Sequence, residues 1–174
     1  MKKTVLVTLL TSTLMMAQGT LFDFPPKSMG IALLGGVMEG EDSNKIESDG
    51  IYGVELSFPC LVNNHVRSQL QVVSYDNNGV EMLQVSVNPH YLIDLQKGVT
   101  LGVGPTLGAT EVTVGDEDDT IFTYGVGASL RADLPYNFFI GTEAHYDWTT
   151  DAELGTVKDN FDNLKVFAKV GYSF

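Results

Sequence analysis

The sequence is poor in cysteine, in cationic residues and in long apolar runs, each of which a common class of protein needs. One cysteine, Cys60, stands among 174 residues, so it has no partner within the chain for a disulfide, and we interpret it as an unpaired thiol near a turn. Lysines and arginines number 10 against 22 acidic residues, which predicts no nucleic-acid partner because phosphate binding needs clustered cations. Beyond residue 19, no apolar run approaches the ~20 residues of a membrane-spanning helix.

The N-terminal segment has the pattern of a secretory signal peptide. Lys2 and Lys3 precede a mostly apolar stretch over 4–16, and a small-x-small cleavage site follows at 17–19. We therefore predict a cleaved signal peptide over 1–19, with cleavage after residue 17 as an alternative, and one domain over 20–174. A buried N-terminal strand is the other interpretation. Export alone would also suit a soluble periplasmic protein.

After this segment, apolar and polar residues alternate with a period of two, and no helical period is present. Successive side chains of a strand point to opposite faces, so this alternation predicts strands with one apolar and one polar face. Eight such segments occur, with lengths near the ~10 residues of a membrane-spanning strand. The predicted strands are 28–38, 52–58, 66–72, 83–91, 99–110, 122–133, 138–148 and 164–174.

The connections between these strands alternate in kind. One set, at 40–49, 76–79, 115–119 and 150–162, contains the longest and most acidic segments. The other set, at 61–64, 93–98 and 135–137, is short. Long extracellular loops and short periplasmic turns are typical of outer-membrane barrels, so we expect both chain ends on the periplasmic side.

Alternation alone fits two kinds of barrel. A soluble lipocalin-like barrel keeps its apolar face inside, whereas a membrane barrel turns it toward lipid. The polar face here carries charges of both signs, which suits a narrow eight-stranded interior where buried charges are paired and hydrogen-bonded. The predicted interior polar network comprises Glu55, Arg67, Arg131, Asp133, Glu143, His145, Lys165 and Lys169.

The aromatic residues favour the membrane barrel. With strands running alternately up and down, they sort to the two strand ends, as expected for girdles at two membrane interfaces. The loop-end set is Tyr52, Tyr75, Phe122, Tyr124, Tyr146 and Trp148, and the turn-end set is Phe58, Tyr91, Tyr136, Phe138, Tyr172 and Phe174.

The C-terminal KVFAKVGYSF and the preceding YNFFIGTEAHYDW resemble the last strands of the small Gram-negative outer-membrane β-barrels, the OmpX/OmpA-type, porin-like family. The resemblance covers essentially the whole chain after the signal. It implies an all-β fold, an eight-stranded antiparallel up-and-down transmembrane β-barrel, placed in the outer membrane among lipid and lipopolysaccharide. It also implies that Val170, Tyr172 and Phe174 form the signal recognised by the outer-membrane assembly machinery.

Two groups of residues invite a chemical interpretation. His145 with Glu143, and His90 with Asn88, are polar-face pairs, but neither Ser74 nor Ser129 lies in a recognised nucleophile motif, so we predict no enzyme and no cofactor. The acidic run offers hard oxygen ligands for Ca²⁺ without the spacing of an EF-hand loop, and a solvated loop tip is the alternative. This candidate calcium loop comprises Asp116, Glu117, Asp118 and Asp119.

Three functions remain open at this point. The first is a structural or surface-interaction protein, expected to be a monomer, which displays acidic extracellular loops to an unidentified ligand. The second is a narrow porin-like channel for small solutes, and the third is a lipid A-modifying enzyme. A packed interior favours the first function, a continuous lumen the second, and a Ser-His-carboxylate cluster the third.

Overall fold

The computed structural model describes residues 29–41, 49–60, 63, 65–77, 79–115, 117–154 and 157–174. The predicted signal peptide and most of the first acidic connection lie outside these residues. Within them, ten strands and one short 3₁₀ turn, Pro135–Asn137, are present. No described helix is long and apolar enough to cross a membrane.

Eight strands close into a barrel in which each strand pairs antiparallel with its neighbours. The barrel closes where β1 pairs with β2 on one side and with β10 on the other. The predicted eight-stranded antiparallel fold is therefore confirmed. The barrel strands are β1 (Gly30–Gly40), β2 (Asp49–Pro59), β3 (Val66–Asn77), β4 (Val80–Gln96), β5 (Val99–Val114), β6 (Glu117–Asp133), β7 (Phe138–Thr149) and β10 (Asn163–Ser173).

Three of the predicted connections are shorter than expected. Gly79, Gly98 and Gly115 have φ of 78°, 78° and 62°, a conformation that glycine adopts without a steric cost, so the strands turn sharply beside them. Pairing between β5 and β6 consequently continues to Val114 and Glu117. The prediction that 115–119 is a loop was therefore wrong, because most of its acidic run lies within β6.

Two further expectations need correction at the loop end of the barrel. The predicted connection 150–162 contains a small hairpin of β8 (Ala152–Leu154) and β9 (Val157–Asp159), which are too short to give a periodic signal. Tyr75 was expected in the outer girdle, but it is buried inside the barrel. Tyr75 continues the row of inward-facing residues of β3, a strand in which apolar and polar residues alternate irregularly along the sequence.

The outer wall is apolar and exposed. Val126, at the middle of β6, is 54% exposed, and large aliphatic side chains on the other strands are similarly open. Apart from Tyr75, the aromatic residues of both girdles lie on or near this outer surface, and Tyr124 stacks on Trp148 with ring centroids 5.9 Å apart. A soluble monomer seldom exposes so large a continuous apolar surface. Exposed members of the band include Ile31, Leu33, Val54, Val87, Leu107, Ile140, Val166 and Val170.

The interior has two layers. Toward the turn end most buried side chains are polar or charged, whereas toward the loop end an apolar cluster packs beside the buried side chains of Lys165 and Asp147. Phe161 and Ala152, from the connection between β7 and β10, pack into this cluster and cover it. The side chains predicted for the polar network lie in the interior except that of Asp133, which is 54% exposed at the turn end. The apolar layer was not expected. Its members include Leu34, Met38, Ile51, Val73, Tyr75, Met82, Val112, Ile121 and Phe167.

Candidate functional site in the barrel interior

The polar layer is organised around Lys169 on β10. Its Nζ donates to Oε2 of Glu55 on β2 at 2.9 Å, and it also donates to Glu143 on β7. Gln71 on β3 donates to both carboxylates, at 3.1 Å to Glu55 and 2.8 Å to Glu143. Four strands are thus linked through the ammonium group and the two carboxylates, and all four side chains are nearly inaccessible to solvent.

A second ion pair lies one layer nearer the loop end. Lys165 donates to Oδ2 of Asp147 at 2.6 Å and also contacts the amide oxygen of Gln84. Gln84 donates to the same carboxylate oxygen at 3.2 Å. Asp147 was not among the predicted network residues, although its place on the polar face of β7 was visible in the alternation.

Arg131 narrows the turn end of the barrel. Its guanidinium lies 3.7 Å above the ring centroid of Phe139 and donates to Asp133 and to Ser173, each at 2.8 Å. Arg67 lines a cavity of about 50 Å³ between the Arg131 side chain and the Lys169 cluster. The cavity is small, and the buried side chains of Glu55 and Lys169 line part of it.

Two histidines occupy the centre of the interior. Nδ1 of His90 on β4 lies 2.8 Å from the hydroxyl oxygen of Ser129, and Nδ1 of His145 on β7 lies 2.8 Å from that of Thr106. The two rings stack with centroids 5.9 Å apart. His145 also contacts Glu143 through Nε2. The sequence placed both histidines on polar faces, but strand register and closure were needed to bring them together.

Glycines on β5 and β6 make room for these rings. A Cβ at position 102 would lie 2.6 Å from the hydroxyl of Ser129 and 3.1 Å from Cβ of His90. A Cβ at Gly127 would lie 2.6 Å from the His145 ring and 3.1 Å from Nε2 of His90. Glycine at both positions therefore lets two imidazoles face each other in a barrel this narrow.

The hydroxyl, imidazole and carboxylate of Thr106, His145 and Glu143 form the kind of chain that activates a nucleophile. Each of these side chains is nearly fully buried. The Ser129–His90 pair is also buried, and Nε2 of His90 has no hydrogen-bond partner that would complete a second such chain. A lipid substrate would find no reachable nucleophile in this interior. His90, Glu143 and His145 are instead placed closely enough to hold a metal ion.

The other predicted site residues lie away from this interior. Tyr172 and Phe174 are exposed on the outer surface at the turn end, and Val170 lies next to them on the same face. Of the candidate calcium loop, Glu117, Asp118 and Asp119 lie on β6, where consecutive side chains point to opposite faces, and Asp116 lies outside the described residues. A strand is poorly suited to gathering consecutive carboxylates around one ion.

Comparison with known proteins agrees with this architecture. The structure is similar to Neisserial surface protein A, with a TM-score of 0.67 and 16% identity over 84% of this chain and 97% of that one. It is also similar to the N-terminal β-barrel domain of Pseudomonas aeruginosa OprF, with a TM-score of 0.56 and 15% identity over 83% and 97% of the two chains. The fold is that of the small outer-membrane β-barrels.

A third similar structure is Ail, the attachment invasion locus protein of Yersinia pestis, with a TM-score of 0.54 and 16% identity over 84% of this chain and 97% of that one. No protein-family model matches the sequence, and no curated protein matches it either. The resemblance of the C-terminal strands to the OmpX/OmpA-type barrels is thus confirmed in the fold.

Proposed function

We propose that this chain is an outer-membrane β-barrel with a structural or surface-interaction role, and that it displays an acidic rim outside the cell. One observation carries the proposal: the barrel wall exposes a continuous apolar band, while the interior is filled by ion pairs and an apolar cluster. Such a barrel is a rigid platform in the membrane. Any binding of an extracellular ligand is then expected at the loop end of the barrel.

The loop end supports an interaction role through its charge. Glu39, Glu41, Asp76 and Glu81 are exposed there, and the whole chain carries a net charge of −12. An Ail structure contains the heparin analogue sucrose octasulfate. An acidic rim repels such a polyanion, so we expect a basic or neutral extracellular ligand for this chain instead.

The channel alternative is tested by conductance. Purified protein in planar lipid bilayers should give no discrete single-channel steps, because the Lys169 ion pairs and the apolar cluster fill the interior beyond the turn-end cavity. The wild-type protein is compared with the variant Phe161→Gly, which lacks one of the side chains that cover the apolar cluster at the loop end. Regular steps from the wild-type protein would show that the interior opens and would favour a narrow pore.

The export route is part of the same proposal. Residues 1–19 act as a cleaved signal, and the barrel then inserts into the outer membrane as a monomer with help from the assembly machinery. N-terminal sequencing of protein recovered from isolated outer membranes should begin at residue 20, or at residue 18 for the alternative site. Recovery in the soluble periplasmic fraction would contradict the proposal.

A further inference from the structure

We propose that the barrel interior binds one first-row transition-metal dication between His90, Glu143 and His145. One ligand atom from each of these side chains lies within 4.8 Å of the other two. Ligand atoms around a tetrahedral ion with bonds of ~2.1 Å are about 3.4 Å apart, so side-chain movements of about 1 Å would bring the three atoms to that spacing and leave the fourth position to water. Two imidazoles with one carboxylate form a donor set that suits Zn²⁺ and its neighbours in the first row.

The unpaired nitrogen of His90 is an independent indication of a ligand. This side chain is 0% exposed, yet its Nε2 has no hydrogen-bond partner. Burying a polar atom without a partner is costly, so such atoms are rare in folded proteins and call for an explanation. Nε2 points into the space beside Gly127, where His145 also lies. A metal ion at this place would give that nitrogen its partner.

Nδ1 of His90 and Nδ1 of His145 have the kind of hydrogen-bond partner that the non-ligating nitrogen of a metal-binding histidine has. Metal-binding histidines almost always donate the other ring N–H to a neighbouring group, which fixes the tautomer and the ring orientation. Here Nδ1 of each ring faces a hydroxyl at 2.8 Å, that of Ser129 for His90 and that of Thr106 for His145. When both Nδ1–H groups donate to these hydroxyls, each Nε2 presents its lone pair toward the centre.

The Glu143 carboxylate can bind the ion without leaving the neighbouring buried charges unpaired. His145 and Glu143 are in direct hydrogen-bond contact, and a bound dication would join the two side chains in place of that contact and release any proton between them to solvent. Glu143 can ligate through one oxygen while Lys169 holds the other. Lys169 also keeps its bond to Glu55, so it does not lose its partner when Glu143 turns.

The site is reachable from the turn end. The cavity of about 50 Å³ is lined by Ser129, which touches His90, and by Lys169, which touches Glu143. The cavity therefore reaches the groups that support the ligands. A first-row dication can enter there, or during folding, before the strands close around it.

The test uses the full-length protein, folded in detergent micelles and stripped of metal by a chelator. Co²⁺ is titrated while its visible absorption is recorded, and Zn²⁺ affinity is measured by competition with a chromophoric chelator. We expect one ion per chain. His90→Gln should lower the affinity by more than about 100-fold, because loss of a supporting group alone typically costs 10–100-fold. His65→Gln is the matched control, since His65 is the exposed histidine and lies outside the site.

Ser129→Ala is the second test, and it removes only the group behind His90. Its affinity should fall by about 10- to 100-fold while the heat-modifiable gel mobility of a folded barrel is retained. This variant keeps the proposal testable if His90→Gln does not fold. The proposal is overturned if the folded wild-type protein binds no stoichiometric Co²⁺ or Zn²⁺, if Ser129→Ala binds as tightly as wild type, or if His65→Gln abolishes binding.

Discussion

Lys169 and Glu55 are 114 residues apart in the chain, yet Nζ of the lysine lies 2.9 Å from Oε2 of the carboxylate inside the closed barrel. Only β1 separates their strands, so the bond forms across the seam where the first and last strands pair. Both side chains are about 2% exposed. The ion pair therefore joins the two ends of the chain at the point where the barrel closes.

The first prediction follows from this seam. Lys169→Met should lower the free energy of unfolding by about 3 to 5 kcal/mol, because it leaves two buried carboxylates, Glu55 and Glu143, without their cation. Urea titration in lipid vesicles measures the change. Lys97→Met is the matched control, since Lys97 is exposed in a turn and should have little effect. Equal stabilities of the two variants would show that the interior is hydrated enough to screen its charges.

The second prediction concerns the outer face of β6. Val126→Arg places a cation on the apolar band and should lower stability by about 2 to 4 kcal/mol near the bilayer midplane. Thr120→Arg lies on the same face of the same strand, six residues toward the loop end, and should cost about 0 to 1 kcal/mol. Refolding into lipid vesicles compares them, and a similar cost at both positions would argue against a lipid-facing band.

Features of the fold that depend on neighbouring residues in the sequence were predictable, whereas features that depend on contacts between distant strands were not. Alternation in β7 and β10 placed Glu143 and Lys169 on an inward face because a strand has a local period of two. The meeting of His90 with His145 depends on the register of β4 to β7, which local patterns do not determine. The acidic run at β6 was misplaced because a glycine in the left-handed region, Gly115, let the hairpin turn earlier than the polar residues suggested.

The apolar cluster at the loop end illustrates a different limit. Met38, Tyr75 and Val112 follow the same alternation as the polar residues below them, but they are apolar on the inward face. Sequence reasoning assigned apolar residues to the lipid side, and this assignment fails where the barrel is sealed by its own connection. Phe161, which completes the seal, lies between β9 and β10, outside any strand and therefore without a periodic signal.

The third prediction separates assembly from stability by comparing Phe174 with Phe167, and Phe138 serves as a control. Deletion of Phe174, which is exposed at the turn end, should impair insertion in cells far more than it alters stability in vitro. Phe138→Ala, in the same girdle, is its control. Phe167 is buried against His145, so Phe167→Ala should instead cost about 3 to 5 kcal/mol of stability in vitro. Equal cellular insertion of the Phe174 deletion and Phe138→Ala would remove the special role of the C-terminus.

The most direct test of a lipid-facing wall uses the single tryptophan, Trp148, which lies in the loop-end girdle. In vesicles of brominated lipids, its fluorescence should be quenched more by bromines near the headgroups than by bromines deep in the acyl chains. In a Trp148→Phe background, Val126→Trp should be quenched best by deep bromines, and Phe139→Trp, inside the barrel, should be quenched by neither. Strong quenching at position 139 with none at position 126 would contradict the account.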